Sequence, residues 1–133
     1  YTSRRPLVVD SSLVAAFLFG EPRCEEALAR MEGWALCAPR IIDFEVANIG
    51  MNKIRSKQTT LETAKVAMNA FREMSIEISD IEPDVMLEMA ARLGLSAYDA
   101  AYICLAEAIG APLVTFDEAL GRAAVAHFAK GTP

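Results

Sequence analysis

The sequence predicts a single α/β domain built around a parallel, doubly wound sheet. Short apolar runs of strand length alternate along the chain with segments of helical periodicity, which is the pattern of βα units. The length of 133 residues suits one domain with a substantial core, and the chain contains no repeat, low-complexity run or linker. We therefore expect residues 1–133 to form one domain. The chain starts at Tyr1 and not at methionine, which leaves the natural N-terminus open.

The first half of the chain predicts two strands and four helices. In chain order these are a strand at 7–10, helices at 13–19 and 24–31, a strand at 34–38, and helices at 40–56 and 61–71. Ser11 or Ser12 can cap the first helix, and Gly20-Glu21-Pro22 separates the first helix from the second. Pro39 is suited to the start of the third helix.

The second half predicts two further strands, three helices and one weak edge strand. The elements are a strand at 76–79, helices at 82–93 and 97–109, a strand at 113–116, a short helix at 117–122 and the weak edge strand at 125–128. Gly94 separates the two long helices. The complete prediction is a central parallel sheet of four to five strands.

The composition excludes several classes of function. With 13 Lys and Arg against 18 Asp and Glu, the net charge is −5, which argues against a general polyanion binder because that affinity comes from basic side chains. A nuclease remains possible, since bound cations reverse the charge of an acidic site. Three separated cysteines in apolar contexts favour reduced thiols in a cytoplasmic protein over a zinc or disulfide framework. No apolar run reaches the roughly 18 residues of a membrane span.

Four acidic residues stand out, each in its own short motif. Asp10 and Asp117 each end an apolar run, whereas Glu45 and Asp99 lie in helical segments. In open α/β sheets, ligands bind beyond the carboxyl ends of the strands, which is where the first two would lie. Two carboxylates about 4 Å apart repel by roughly 4 kcal/mol at an effective dielectric near 20. Such a cluster would take up protons or bind Mg²⁺ or Mn²⁺, and divalent ions on carboxylates indicate phosphate chemistry.

Each acidic residue also has a purely structural explanation. Asp10 can help Ser11 or Ser12 cap the first helix, Asp117 can cap its own short helix, and Ser96 with Asp99 matches a capping box. Glu45 can be a solvated helix residue. Taken one at a time these explanations are favoured, but taken together they are weaker. Asp10 and Asp117 would lie at the carboxyl ends of strands, while Asp99 and Glu45 border helix faces expected to be buried, where a carboxylate is costly unless it is paired or bound to metal.

Four motifs along the chain resemble those of the PIN domain, and specifically of the VapC-type toxin ribonucleases of toxin–antitoxin pairs. The motifs are V-V-D-S-S at the first strand, P-x(5)-E-x-x-N on the third helix, S-A-Y-D-A-A-Y-x-x-L-A around Asp99, and T-x-D-x-x-L near the end. The resemblance extends over about residues 7–128. It implies a three-layer α/β/α fold and cleavage of RNA by a Mg²⁺- or Mn²⁺-dependent endoribonuclease.

The resemblance also assigns roles to individual residues. Asp10, Glu45, Asp99 and Asp117 match the four acidic catalytic and metal-binding positions, with Asp43 as an additional acid nearby. Ser12, Asn48 and Thr115 match supporting polar positions. The basic residues expected to guide RNA phosphates are Arg4, Arg5, Arg40, Lys53 and Arg55, although cations are also favoured at a helix C-terminus for structural reasons. His127 is expected to be peripheral. The resemblance gives neither the RNA target nor the number of metals.

Protein partners are expected as well. The hydrophobic fraction of 53% suggests that part of the apolar surface contacts a partner. The resemblance implies that an apolar groove receives a segment of a cognate antitoxin, and that the protein forms a homodimer. Packing in the core is the default explanation for the apolar residues of the first and fourth helices, and the same residues are the candidates for the groove: Val14, Phe17, Leu18, Phe19, Leu61, Met68 and Phe71.

Three other functions compete with this interpretation. A haloacid-dehalogenase-type phosphotransferase requires a second Asp two residues after the first, where this chain has Ser12. A receiver domain requires an acidic pair after the first strand and a suitable lysine, and both are missing. A catalytically silent PIN module that acts only by protein binding would be expected to lose one or more of the four acids, and this chain keeps them all.

Overall fold

The computed structural model describes residues 4–130; residues 1–3 and 131–133, including the open question of Tyr1, lie outside that range. The elements in chain order are β1 (Pro6–Val9), α1 (Ser11–Leu18), α2 (Cys24–Met31), β2 (Ala35–Pro39), α3 (Ile41–Arg55), α4 (Leu61–Glu73), β3 (Glu77–Ser79), α5 (Pro83–Leu93), α6 (Ala97–Ile109), β4 (Leu113–Val114) and α7 (Glu118–Lys130). This alternation confirms the predicted α/β class.

The sheet over the described residues has four parallel strands in the order β3-β2-β1-β4. Strand β1 lies at the centre, where Leu7 pairs with Leu36 of β2 and Val9 pairs with Val114 of β4. Leu7 and Val9 are almost fully buried, as expected for a parallel strand that is covered on both faces. Because all four strands run in the same direction, their carboxyl ends share one edge of the sheet.

Helices cover the sheet and complete the three-layer α/β/α architecture. Helix α6 packs against β1, β2, β4 and α5, while α1 packs against α2, α3 and α4. Helix α6 is the most buried helix, with a continuous run of buried residues at 100–106. None of the helices described between residues 4 and 130 is both long and apolar enough to cross a membrane.

The weak edge strand predicted at 125–128 is wrong. These residues belong to α7, which the sequence predicted to end at residue 122. Leu120 and Ala124 are buried, and Phe128 packs against the core. Because they are spaced four residues apart, they lie on one helical face, whereas Val125 is exposed between them. Packing of that face therefore extends the helix past the predicted end.

Candidate active site

Asp10 is placed at the centre of the carboxyl edge by the strand that precedes it. It follows β1 directly and caps α1, and its Oδ1 accepts a hydrogen bond from the backbone N–H of Leu13 at 3.1 Å. The Ser12 hydroxyl donates to the same oxygen at 2.8 Å. Asp10 is only 4% exposed, and it is the one buried charged residue in the described part of the chain. Its structural role as a cap is therefore real, but burial of a carboxylate is costly and needs a further reason.

Thr115 joins the segment after β4 to Asp10. Its hydroxyl donates to Asp10 Oδ2 across 2.5 Å and accepts a hydrogen bond from the N–H of Asp117 at 2.9 Å. Ser12 makes a parallel connection, since its hydroxyl oxygen accepts from the N–H of Phe116 at 3.0 Å. Ser12 and Thr115, both predicted as supporting residues, thus hold the ends of β1 and β4 together.

Asp117 lies at the start of α7, close to this network. Its Oδ1 accepts a hydrogen bond from the N–H of Leu120 at 2.9 Å, which is the geometry of a helix N-cap. The residue is exposed. One carboxylate oxygen is therefore engaged in capping, and the side chain remains accessible to solvent at the edge of the site.

Glu45 approaches the site from α3 and is held by a residue of α6. The Tyr102 hydroxyl donates to Glu45 Oε1 across 2.5 Å. The nearby side chain of Ser11 lowers the pKa of Glu45. Glu45 is half-buried, while Tyr102 is 1% exposed.

Asp99 lies in the first turn of α6 and is half-buried. Its backbone N–H donates to the Ser96 hydroxyl at 3.1 Å, so the predicted cap by Ser96 is present. Tyr102 follows Asp99 by three residues, and the two therefore lie about one turn apart on the same helix.

The carboxylates influence one another electrostatically. The pKa of Asp10 is raised by burial, against three hydrogen bonds that lower it, and the charge of Asp117 raises it further. The pKa of Glu45 is raised by burial and by the charges of Asp99 and Asp10. Burial and the charge of Asp117 likewise raise the pKa of Asp99. Among residues 4–130, no basic side chain contributes to any of these three shifts, so the charges of Asp10, Glu45 and Asp99 are not compensated by a nearby cation.

The chemistry of this donor set fits a hard divalent cation, which prefers carboxylate oxygens and would relieve the mutual repulsion. Within residues 4–130, however, no three Asp, Glu, His or Cys side chains are grouped tightly enough to hold a metal ion as they stand. The residues are suitable ligands in kind, and their side chains would have to come closer together on binding.

Several other predicted residues lie outside this cluster. Asn48 follows Glu45 by about one turn of α3 and is exposed, as is Asp43. His127 contacts Glu107 of α6 at 2.9 Å, which is a peripheral position. The structure thus brings Ser12 and Thr115 to the acidic residues, whereas Asn48 makes no side-chain hydrogen bond to them within residues 4–130.

The predicted RNA-guiding residues are dispersed. Arg4 and Arg5 precede β1 and therefore lie at the amino end of the central strand, opposite the carboxylates. Arg40 lies at the carboxyl end of β2, paired with Asp80 at 2.5 Å. Lys53 is paired with Glu21 at 2.7 Å, and Arg55 follows on the same helix. Both lie about 12–15 Å along α3 from Glu45 at 1.5 Å per residue.

Sequence reasoning missed two features near the site. Tyr102 was not among the predicted site residues, and only its position one turn after Asp99 signals a link to the acidic cluster. Arg23 lies over the ring of Phe116 at 3.7 Å and, with Arg122, lines a cleft that includes Thr115 and Asp117. No local pattern in the sequence signals that placement, because α2 and α7 are far apart along the chain.

Comparison with known proteins agrees with the fold and the motifs. The model of the PIN domain family matches residues 7–126. Ribonuclease VapC3 from Pyrobaculum aerophilum is 32% identical over 124 residues, covering 87% of this chain and 92% of the relative. Ribonuclease VapC9 from Mycobacterium tuberculosis is 28% identical over 112 residues, covering 84% of this chain and 85% of the relative.

Solved structures show the same architecture. The crystal structure of PAE2754 from Pyrobaculum aerophilum has a TM-score of 0.72 at 22% identity and covers 90% of this chain and 79% of that one. VapC20 from Mycobacterium tuberculosis, described as a sarcin-ricin loop cleaving toxin, has a TM-score of 0.65 at 16% identity, with coverage of 88% and 94%. The chain therefore belongs to the PIN-domain family, in the group of VapC proteins.

Proposed function

We propose that this protein is a Mg²⁺- or Mn²⁺-dependent endoribonuclease that hydrolyses RNA phosphodiester bonds and serves as the toxin of a type II toxin–antitoxin pair. The observation that carries the proposal is the buried carboxylate of Asp10 at the carboxyl end of the central strand, electrostatically coupled to other acidic residues without a basic partner. The similar VapC proteins are described as ribonucleases, which supports the same reaction. Fold alone would not assign it.

In this proposal Asp10, Glu45 and Asp99 hold one divalent cation, and Asp117 binds a second cation or a water molecule. The bound cation would lower the pKa of a water and offset the charge that develops on the phosphate. Asp10 would present its carboxylate in a fixed orientation, since Ser12, Thr115 and the Leu13 N–H hold both of its oxygens.

The partners follow from the same resemblance. The substrate is RNA, as for the ribonuclease relatives. We place the antitoxin segment in a cleft between the end of α1 and α4, where Leu18 and Phe19 face Val66 and Ala70. Val66, which lines this cleft, is strongly exposed for an apolar residue, at 67%, and this suits a helix-in-groove contact. A homodimer in the cytoplasm completes the proposal.

The alternative is a catalytically silent PIN module that binds protein alone. Both functions use the apolar cleft, but only the nuclease requires the acidic cluster. Removal of one carboxylate from a folded protein therefore separates them.

The test is RNA cleavage by the purified, antitoxin-free protein. Total RNA, transfer RNA and an RNA carrying the sarcin-ricin loop are incubated with Mg²⁺ or Mn²⁺, and EDTA is added to a parallel sample. Asp99→Asn is the diagnostic variant, and Asp43→Asn, an exposed acid of α3, is its matched control. Discrete fragments that need the metal and Asp99, but not Asp43, support the endoribonuclease. Fragments that persist in the Asp99→Asn protein contradict it.

A further inference from the structure

Tyr102 connects the helices that carry two of the acidic residues. It lies three residues after Asp99 on α6, and its hydroxyl reaches Glu45 on α3, 57 residues away in sequence, at 2.5 Å. Ser11, which directly follows Asp10, lies near both Glu45 and Tyr102 and lowers the pKa of each. The buried phenol of Tyr102 thus bonds to Glu45, lies one turn from Asp99 and is near the residue that follows Asp10.

The packing of α6 does not require this hydroxyl. Tyr102 belongs to the buried run of the helix, and every other member of that run is apolar: Ala100, Ala101, Ile103, Cys104, Leu105 and Ala106. A phenylalanine ring would occupy nearly the same space without a polar atom, whereas a buried tyrosine hydroxyl needs a hydrogen-bond partner. The hydroxyl of Tyr102 therefore needs a hydrogen-bond partner within the core, and Glu45 is that partner.

Glu45 needs such a contact more than Asp10 does. Asp10 is short and is held by three donors, whereas Glu45 has a longer, half-buried side chain with more rotatable bonds. The negative charges of Asp10 and Asp99 repel it. Without a donor from α6, the Glu45 carboxylate would be free to turn away from the other two.

We propose that Tyr102 is a positioning residue, whose hydroxyl holds the Glu45 carboxylate where it can bind a divalent cation together with Asp10 and Asp99. The inference rests on the proposed function and adds to it a residue outside the four acids. A phenol keeps its proton at neutral pH, so the Tyr102 hydroxyl is the donor to the Glu45 carboxylate. Partners that orient a metal ligand typically contribute about 10- to 100-fold to metal affinity.

A purely structural role for Tyr102 predicts a different result. In that case Glu45 only satisfies a buried hydroxyl, and replacing the tyrosine with phenylalanine would change the stability of the core but not the affinity for cations. Metal affinity, measured directly and not through cleavage, therefore separates the two roles.

The experiment is calorimetric titration of the full chain with Mn²⁺. We expect Tyr102→Phe to weaken binding, raising the dissociation constant for Mn²⁺ by about 10-fold or more. Tyr98→Phe is the matched control, because Tyr98 lies on the same helix but is 62% exposed, and this variant should bind Mn²⁺ as the original protein does. Circular dichroism and thermal melting establish that both variants are folded.

A double-mutant cycle tests whether Tyr102 acts through Glu45. In a Glu45→Gln background, Tyr102→Phe should cause little further loss of Mn²⁺ affinity, because the ligand it positions is already gone. A loss of the same size in both backgrounds would show that Tyr102 does not act through Glu45 and would overturn the inference.

The outcomes separate this inference from the proposed function. If Asp99→Asn and Glu45→Gln weaken Mn²⁺ binding but Tyr102→Phe does not, only the positioning role fails. If neither acidic substitution weakens it, the proposed ligand set fails and the positioning role fails with it. If Tyr102→Phe does not fold, a second measurement takes the place of the titration. An ultraviolet difference spectrum of the Tyr98→Phe protein is recorded on addition of Mg²⁺. A tyrosine signal is expected, and its absence overturns the inference.

Discussion

The hydroxyl of Thr115 donates a hydrogen bond to Oδ2 of Asp10 across 2.5 Å, although 105 residues separate the two in sequence. The contact ties the carboxyl end of the central strand β1 to the segment that leaves β4. It also gives a buried carboxylate one of the donors that it needs. The same side chain thus contributes to the fold and to the orientation of the acidic cluster.

Replacement of Thr115 by valine should therefore destabilise the protein. Valine keeps the shape but removes the donor, and hydrogen bonds to charged groups contribute about 1.5–3 kcal/mol. We expect the free energy of unfolding, measured by urea denaturation, to fall by an amount in that range. Thr115→Ser keeps the hydroxyl and is the control. Equal stability of the valine and serine variants would contradict the structural role of this hydrogen bond.

The placement of Asp10 and Asp117 could be predicted from sequence because it depends on local rules. Each follows an apolar run that forms a parallel strand, and parallel strands end at a common edge. The capping roles of Asp117 and Ser96 could be predicted for the same reason, since a cap bonds to residues only three positions away.

The contact between Glu45 and Tyr102 could not be predicted in this way. It depends on how α3 and α6 lie relative to each other, which no periodicity within either helix specifies. The positions of the arginines relative to the site could not be predicted for the same reason. Whether a basic residue lies near the site depends on the end of the sheet at which its helix or strand places it. The strand predicted at 125–128 was wrong for a tertiary reason as well, because burial of Leu120 and Ala124 against the core extends α7 through these residues.

The acidic cluster should make the stability of the metal-free protein depend on pH. Asp10, Glu45 and Asp99 have raised pKa values in the folded state. A raised pKa stabilises the fold below the unfolded-state value, which is about 4 for carboxyl groups, and that contribution is lost as the pH rises through the folded value. The double variant Glu45→Gln, Asp99→Asn should therefore gain stability relative to the original protein between about pH 4 and 7.

Urea denaturation at a series of pH values measures this difference. It should be smallest below about pH 3, where the carboxyl groups are protonated in both states, and should grow toward neutral pH. Excess Mn²⁺ should reverse the order at neutral pH, because a cation bound to the folded state stabilises only the protein that keeps its ligands. A difference that stays constant with pH would show that folding does not raise the pKa values of these two carboxyl groups.

The basic residues should differ in their effect on RNA. Arg40 lies at the carboxyl end of β2, on the same edge as the acidic cluster, although Asp80 pairs with it. Arg4 and Arg5 lie at the amino end of β1. We expect Arg40→Ala to reduce the slope of log affinity for single-stranded RNA against log salt by about 0.7, the value for one phosphate contact. The double variant Arg4→Ala, Arg5→Ala should leave that slope unchanged.

Filter binding to a catalytically inactive Asp99→Asn protein at several salt concentrations provides these slopes without cleavage of the RNA. An effect of Arg4 and Arg5 equal to that of Arg40 would mean that the RNA extends to the opposite end of the sheet.

Asp117 combines two functions that substitution can separate. Its Oδ1 caps α7, while its charge acts on Asp10 and Asp99. Asparagine caps a helix about as well as aspartate, whereas alanine does not and costs about 1 kcal/mol. Asp117→Asn should therefore keep the original stability in urea denaturation but lose most RNA cleavage, because the amide removes the charge.

The alanine variant should lose both stability and cleavage, and an independent cap provides the comparison. Thr60 caps α4 through its hydroxyl in the same manner, away from the acidic cluster. Thr60→Ala should cost about 1 kcal/mol and leave cleavage intact under conditions where the protein is folded. If Asp117→Asn cleaved RNA as well as the Thr60 variant does, capping alone would account for Asp117. Full cleavage by the asparagine protein would thus remove this residue from the proposed catalytic set, while the stability data would still establish its place at the start of α7.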